Sequence, residues 1–311
     1  MPLTVSVSPH QKSELNTAGA MTRVIYALVP AVAVSFYFFR IKALVVILTA
    51  VLSCLAAEVI VLKARRKDVS LQDTASAVVT ALLLAMSLPP DTSWYAVILG
   101  SLFAIAVCKH LFGGLGSNIF NPALAARAFL AAAYPKMLTS WSSPFTLDAV
   151  TKATPLALRK FDHILTPLDN LFWGNVSGCL GETSAACLLM GGLYLLIKKI
   201  ADWRIPLATI VTAFFFSLFF YIRDPLNGSF LFHLFSGGFI LGVFFMATDP
   251  VTTPVTKNGR FIFGAGCGLL IMVIRYFSGL PEGVMYSILF MNAFVPLIDR
   301  FTRGRSFGRV K

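Results

Sequence analysis

Residues 43–62 read ALVVILTAVLSCLAAEVIVL, with Glu58 the only charged side chain in the run. A bilayer core roughly 30 Å thick takes about 20 apolar residues of helix. The run is bracketed by Arg40 and Lys42 on one side and by Lys63, Arg65, Arg66 and Lys67 on the other. An apolar stretch of that length between clusters of cations reads as a transmembrane helix. Comparable runs lie at 24–39, 74–88, 94–112, 119–134, 184–197, 205–222, 230–247, 261–278 and 284–299.

The composition points the same way. The chain has 311 residues, 57% of them hydrophobic and 13% charged. Soluble domains carry about 25% charged residues, so this chain has too few polar groups to clothe a body in water. The expected fold is an all-α integral membrane protein of about ten transmembrane helices. Residues 1–22 read as a cytoplasmic tail, 23–300 as a single transmembrane domain and 301–311 as a second cytoplasmic tail. No cleavable signal peptide is read in the first 22 residues, which include Pro9, His10, Lys12 and Glu14. The third, fifth and sixth runs are short, and short spans are expected to be partly broken helices lining a cavity.

The net charge of +12 does not indicate nucleic acid, because the cations cluster in short loops between apolar runs. With both termini inside, most of them fall on the inner side: Lys12 and Arg23; Lys63 to Lys67; Lys109; Lys198, Lys199 and Arg204; Lys257 and Arg260; and the C-terminal group. That is the positive-inside pattern. Arg40, Lys42, Arg223, Arg275 and the cations of the long loop 135–183 fall outside. The five cysteines form no CxxC pair. They read as buried small residues, with one exception left open, a shared iron centre held jointly by cysteines of different helices, to which Cys108 would contribute.

Two pairs of segments repeat faintly. VTALLLAMSLPP (79–90) matches ILGVFFMATDP (240–250), and FGGLGSNIF (112–120) matches FSGLPEGVM (277–285). In this topology the members of each pair lie on opposite sides. The expectation is two inverted five-helix halves, about 23–134 and 184–300, joined by the outer loop 135–183, with a site at their interface.

Five places could carry chemistry. In GSNIFNPALAARAF (116–129), Asn118 and Asn121 precede Pro122 at a helix start, which makes either a binding corner or a plain cap. Asn121-Pro122-Ala123 is also the tripeptide of aquaporins, which carry it twice. Arg127 sits in an apolar run, so it is expected to have a partner or a phosphate-like ligand, the alternative being snorkelling to the inner edge. In ATDPVTTPVTKNGR (247–260), Asp249-Pro250 and Thr253-Pro254 force extended or turn backbone, and Lys257, Asn258 and Arg260 either meet a phosphate or carboxylate or decorate an inner loop. In NVSGCLGETSAACLLMGG (175–192), Gly178 and Gly181 are expected to loosen the chain, Glu182 to be solvated at the membrane edge, and Thr183 or Ser184 to cap a helix. Glu58 either pairs with Lys63 or serves a cation path.

Taken together, GSNIFNPALAARAF, WGNVSGCLGETSAACLLMGG, DWRIP (202–206) and ATDPVTTPVTKNGRFIFG resemble the D-subunit family of Rnf-type ion-translocating ferredoxin:NAD oxidoreductases. They resemble more distantly the B subunit of sodium-translocating NADH:quinone reductase. The likeness runs along nearly the whole chain, in order. It implies ten helices in inverted halves and one FMN held by a phosphoester from a threonine. The matching hydroxyl is Thr183, with Ser184 beside it, since the family signature Ser-Gly-Ala-Thr reads Gly-Glu-Thr-Ser here. Riboflavin as a second flavin is also implied.

The residues expected to face a flavin are Thr183, Ser184, Gly181, Asn118, Asn121, Arg127, Thr248, Asp249 and Lys257. The implied setting is a multi-pass protein of a bacterial or archaeal cytoplasmic (inner) membrane. Its partners would be other membrane subunits, a second flavin-bearing subunit, and sodium ions or protons. The alternative is a channel or secondary transporter for a small polar solute, and a covalent flavin fluorescent on a denaturing gel separates the two.

Overall fold

The computed structural model describes residues 16–145 and 153–303, so most of both expected tails lies outside the described residues. Regular structure is helical. Among the described residues, five helices are long and apolar enough to cross a membrane: α1 (Thr17–Phe39), α2 (Ile41–Ala64), α8 (Arg204–Arg223), α11 (Lys257–Phe277) and α12 (Val284–Thr302). Shorter apolar helices are α3 (Leu71–Met86), α4 (Trp94–His110), α5 (Pro122–Ala133) and α7 (Ala185–Ile197). A short helix, α6 (Leu168–Trp173), precedes α7.

Another span is broken. It consists of α9 (Phe230–Phe235) and α10 (Phe239–Met246), and with the turn at Pro225 the pair bends by 45°. The sequence placed the breaks in the third, fifth and sixth runs. The clear break lies in the eighth, at Ser236-Gly237-Gly238, where buried polar side chains take up the freed backbone groups. α3 is unbroken, and α5 and α7 are short because loops precede them.

The helix starts follow local chemistry. Asn16 accepts the Gly19 N–H at 2.7 Å, so α1 begins inside the stretch read as tail. Ser70 and Asp73 form a reciprocal capping box at α3. Asn121 caps α5 with Pro122 at its first position, Ser184 caps α7 and Thr256 caps α11. α4 changes from α to π winding at Phe103, which re-aims the side chains of its last turns. α8 and α11 pack along their length, and Thr209 Oγ1 crosses between them to the Gly264 carbonyl at 2.9 Å.

Candidate functional site

The residues singled out from sequence fall into two groups. The first lines a cavity of about 80 Å³ on the side that the charge pattern assigns to the inside. Asn118, Asn121, Thr248, Asp249 and Lys109 all face it. Asn121 caps its own helix, with Oδ1 accepting the Ala123 and Leu124 N–H groups at 3.1 and 3.4 Å. Its Nδ2 donates to the Met246 carbonyl at the end of α10, at 3.2 Å. Asn292 of α12, with its amide turned to satisfy both ends, accepts the Asn121 N–H at 3.2 Å and donates to the Thr252 carbonyl at 3.1 Å. Asn121 is therefore a cap and also a tie from α5 to the end of α10 and to α12. Asn118 donates to the Phe120 carbonyl at 3.2 Å, which holds the turn into α5.

The cavity shares Ile200, Ala201, Thr248 and Pro250 with a pocket of about 440 Å³. That pocket is rimmed by Asp202 and Arg260, which form an ion pair, and Asp202 also holds Arg204 at 2.9 Å. Burial pushes the Asp202 carboxyl up. The Arg204 amide and the Arg260 and Arg204 guanidiniums outweigh this and hold it below the usual carboxylate range. Lys257 stands apart, exposed at the first turn of α11.

Behind the cavity lies a charge cluster whose pairing differs from the sequence expectation. Glu58 contacts Lys109 at 2.9 Å and His110 Nε2 at 3.0 Å, instead of Lys63. The reason is direction, since the π-wound end of α4 turns Lys109 inward onto α2. Lys109 is 1% exposed and so is not a loop cation. One Glu58 oxygen, Oε2, is buried without a hydrogen-bond partner.

The second group surrounds Thr183. Arg127 neither snorkels nor stands alone. Its Nη2 lies 3.0 Å from Glu282 Oε2 and 3.4 Å from Cys179 Sγ. The other Glu282 oxygen accepts the Gly238 N–H, at the break between α9 and α10, at 2.8 Å. Arg275, read as an outer loop cation, is 1% exposed. It donates to the His233 and Ser236 carbonyls at 2.5 and 2.8 Å on the other side of that break. Lys160 of the outer segment donates to the carbonyls of Ile274, Arg275 and Leu280, closing the outer end of α11.

Residues 179–184 make a buried turn. Glu182 is not solvated but 8% exposed, and Thr183 and Ser184 are 2% and 4% exposed. Ser184, rather than Thr183, is the cap, accepting the Cys187 N–H at 3.3 Å. Thr183 Oγ1 donates to the Leu180 carbonyl at 2.8 Å and lies 3.4 Å from Ser35 Oγ on α1. The glycines here serve close packing, not looseness. A Cβ at Gly181 would lie 2.7 Å from the Met86 carbonyl oxygen, and one at Gly174 (φ +100°) would lie 0.9 Å from the Thr183 carbonyl oxygen.

Cys108 is buried in α4, and all five cysteines are free. Among the described residues no three His, Cys, Asp or Glu side chains are grouped to hold a metal. Sequence reasoning missed Ser35, Glu282 and Asn292. Asn292 had a usable signal, an amide inside an apolar run. Glu282 had a weaker one, its place in the repeated segment 277–285.

Known proteins share this sequence along its length. The chain matches the model of the NQR2, RnfD, RnfE family over residues 4–308. It is 48% identical to the D subunit of the Na(+)-translocating ferredoxin:NAD(+) oxidoreductase complex of Acetobacterium woodii, over 99% of this chain and 96% of that one. It is 43% identical to the D subunit of the proton-translocating ferredoxin:NAD(+) oxidoreductase complex of Clostridium ljungdahlii, over 98% and 96%. Identity to the D subunit of the ion-translocating oxidoreductase complex of Shewanella amazonensis is 38%, over 99% of both chains.

Proposed function

The chain belongs to the NQR2, RnfD, RnfE family, and from that premise we propose that it is the membrane D subunit of a redox-driven ion pump. In this reading electrons pass between ferredoxin and NAD through a complex, and sodium ions or protons cross the membrane. The observation that carries it is similarity along nearly the full length to subunits named for that activity. Relatives at 48% and 43% identity are named for sodium and for protons respectively, which supports sodium ions or protons as the ion of this reading.

The five long helices, the bent pair and the four shorter apolar helices together support ten spans. We read them as two inverted halves in an inner membrane with both termini cytoplasmic. The partners are other membrane subunits and a second flavin-bearing subunit. A shared iron centre at Cys108 would need thiolates from such a partner. Asn121 is accounted for as a cap and a tie from α5 to α10 and α12, so it no longer favours a channel.

An FMN esterified to Thr183 is part of the same proposal. Such a flavin supplies one- and two-electron transfer. The chain supplies a hydroxyl one residue before a capped helix, with Arg127 and Glu182 nearby. As packed, however, the turn leaves no room for a phosphate on that hydroxyl. Riboflavin is the second flavin of the proposal. The cavity beside Asn118 and Asn121 is the place proposed for it, although the Asn121 amide is spent on the α5 cap and the Met246 carbonyl. The small cavity alone is too tight, but with the adjoining pocket of about 440 Å³ it reaches the range of roughly 300–1,000 Å³ typical of ligand sites.

Thr183→Val tests the attachment. It removes the nucleophile while nearly keeping the shape. The expected product is a chain that inserts into the membrane but lacks the FMN mass and its fluorescence on a denaturing gel, whereas Ser184→Ala keeps both. Fluorescence retained in Thr183→Val and lost in Ser184→Ala would move the attachment by one residue.

A further inference from the structure

We propose that His110 is a proton-transfer residue, linking a pocket on the inner side to the buried carboxylate of Glu58. The exchange itself is a property of this chain. Its use in pumping rests on the proton branch of the ion-pump reading.

Unmet polar atoms along one path carry the proposal. Glu58 lies six residues before Ala64, the end of α2, which at helical rise is roughly 9 Å below the inner end. It is 1% exposed, and His110 is 2% exposed. His110 Nε2 stands 3.0 Å from Glu58 Oε1 but is not aligned to hydrogen-bond it, and Nδ1 has no partner among the described residues. Glu58 Oε2 is unpartnered as well. Buried polar atoms are normally bonded, so three unmet ones in a single contact mark a place kept free for an exchanging proton.

The ring also reaches the inner side. His110 lines a pocket of about 280 Å³ with Arg65, Lys67, Gly113 and Gly114, large enough for several waters at roughly 30 Å³ each. Gly114 (φ +107°) leaves the approach open, since a Cβ there would lie 3.6 Å from His110 Nδ1. Arg65 donates to the His110 carbonyl, which fixes where the imidazole stands. The charged groups facing the pair are Lys109, which donates to Glu58 Oε1 at 2.9 Å, and Arg65, Lys67, Asp68 and Asp73 around the pocket.

The step is a proton transfer without redox change. A hydronium ion in the pocket gives a proton to Nδ1 and is left as water. The Nε2 proton passes to a Glu58 oxygen, and the ring is left as the other neutral tautomer. The reverse path returns the proton. Once Glu58 is neutral, Lys109 loses its counter-charge. Lys109 also lines the cavity that holds Asn118, Asn121 and Asp249, so the arrival of the proton is felt there as an unpaired cation.

Infrared spectroscopy of the full chain in lipid nanodiscs tests this. On a rapid step from mildly alkaline to mildly acidic buffer, a protonated-carboxyl band should rise in wild type and be absent from Glu58→Gln. His110→Ala should slow its rise roughly a hundredfold, the scale of a positioned proton-transfer group. Added imidazole should restore the rate by entering the space the ring leaves. Pyrrole, a ring of the same size without a basic nitrogen, should not. His110→Gln, closer in size to the native side chain, should also be slow, and it decides the matter if the alanine variant folds poorly. The absence of a Glu58 band in wild type, or a wild-type rate in a folded His110 variant, overturns the proposal. Equal rescue by pyrrole overturns it too, because it marks a packing role. Since the chain alone is measured, none of these outcomes touches the pump reading, which fails separately if the assembled complex moves neither sodium ions nor protons.

Discussion

At the residue scale, the chemistry of this chain lies in charges that lipid would not tolerate alone. Arg127 of α5 and Glu282, just before α12, lie 3.0 Å apart, with side chains 12% and 18% exposed. Removing one partner of such a pair leaves an uncompensated charge, at a cost of about 3 kcal/mol or more. Arg127→Ala and Glu282→Ala should each lower the thermal unfolding midpoint in detergent. Arg127→Met with Glu282→Met together should cost less than the two single changes summed, because no charge is stranded. Additive losses would mean that the pair is not coupled. Arg303→Ala, at the end of α12 and exposed, should leave the midpoint unchanged.

Gly174 is the backbone counterpart. A Cβ there meets the Thr183 carbonyl oxygen at 0.9 Å, and φ of +100° already disfavours a side chain by roughly 1–2 kcal/mol. Gly174→Ala must therefore displace the 179–184 turn. The expected outcome is a clearly lower unfolding midpoint, together with trypsin sensitivity near Lys160 once the outer segment loosens. A variant as stable as wild type would show that the turn is not held there.

At the scale of elements, loops and helix ends are joined by ion pairs at the membrane surface. Asp202, between α7 and α8, holds Arg204 and Arg260, and Arg260 Nε also donates to the Pro254 carbonyl at 3.0 Å. One carboxylate thereby pins the 247–256 loop to the start of α8. Its carboxyl lies below the ordinary value of 3.8. A carboxyl depressed by folding stabilises the folded state fully above its unfolded pKa. That contribution is lost as pH falls through the folded pKa. The unfolding midpoint of wild type should exceed that of Asp202→Asn from neutral pH down to about pH 4 and converge with it below. A constant difference down to strongly acidic pH would show that the carboxylate charge is not what matters.

The broken span belongs to the same scale. Its free backbone groups are met by Glu282 on one side and Arg275 on the other. This is how a break persists at membrane depth, where unpaired backbone is costly.

At the scale of the whole molecule, the charge pattern predicts orientation. Thr139 and Val69 are both exposed, the first beyond α5 and the second between α2 and α3. A cysteine placed at Thr139 should react with a membrane-impermeant thiol reagent from outside only, and one at Val69 from inside only. The reverse pattern at either position overturns the topology. Burial of Lys109 and Arg275 removes one cation from each side of the loop count, so the inward bias stands.

The sequence by itself determined the solvent of this protein and much of its local structure. Twenty-residue apolar runs have one stable environment, and caps such as Asn16, Ser70, Asn121 and Thr256 act within one turn of chain. Short-range chemistry of that kind is legible because both partners lie within a few residues of each other. The sequence also marked Asn118, Asn121, Thr248 and Asp249, and the fold brings all four to one cavity. What only the tertiary structure decided was pairing. Glu58 took Lys109 over its sequence neighbour Lys63, Arg127 found Glu282, and Ser35 covered Thr183. Each of these contacts joins segments 51 to 155 residues apart. In lipid a buried charge or hydroxyl binds whichever partner the helix packing brings near, and that packing is set by the whole surface of each helix.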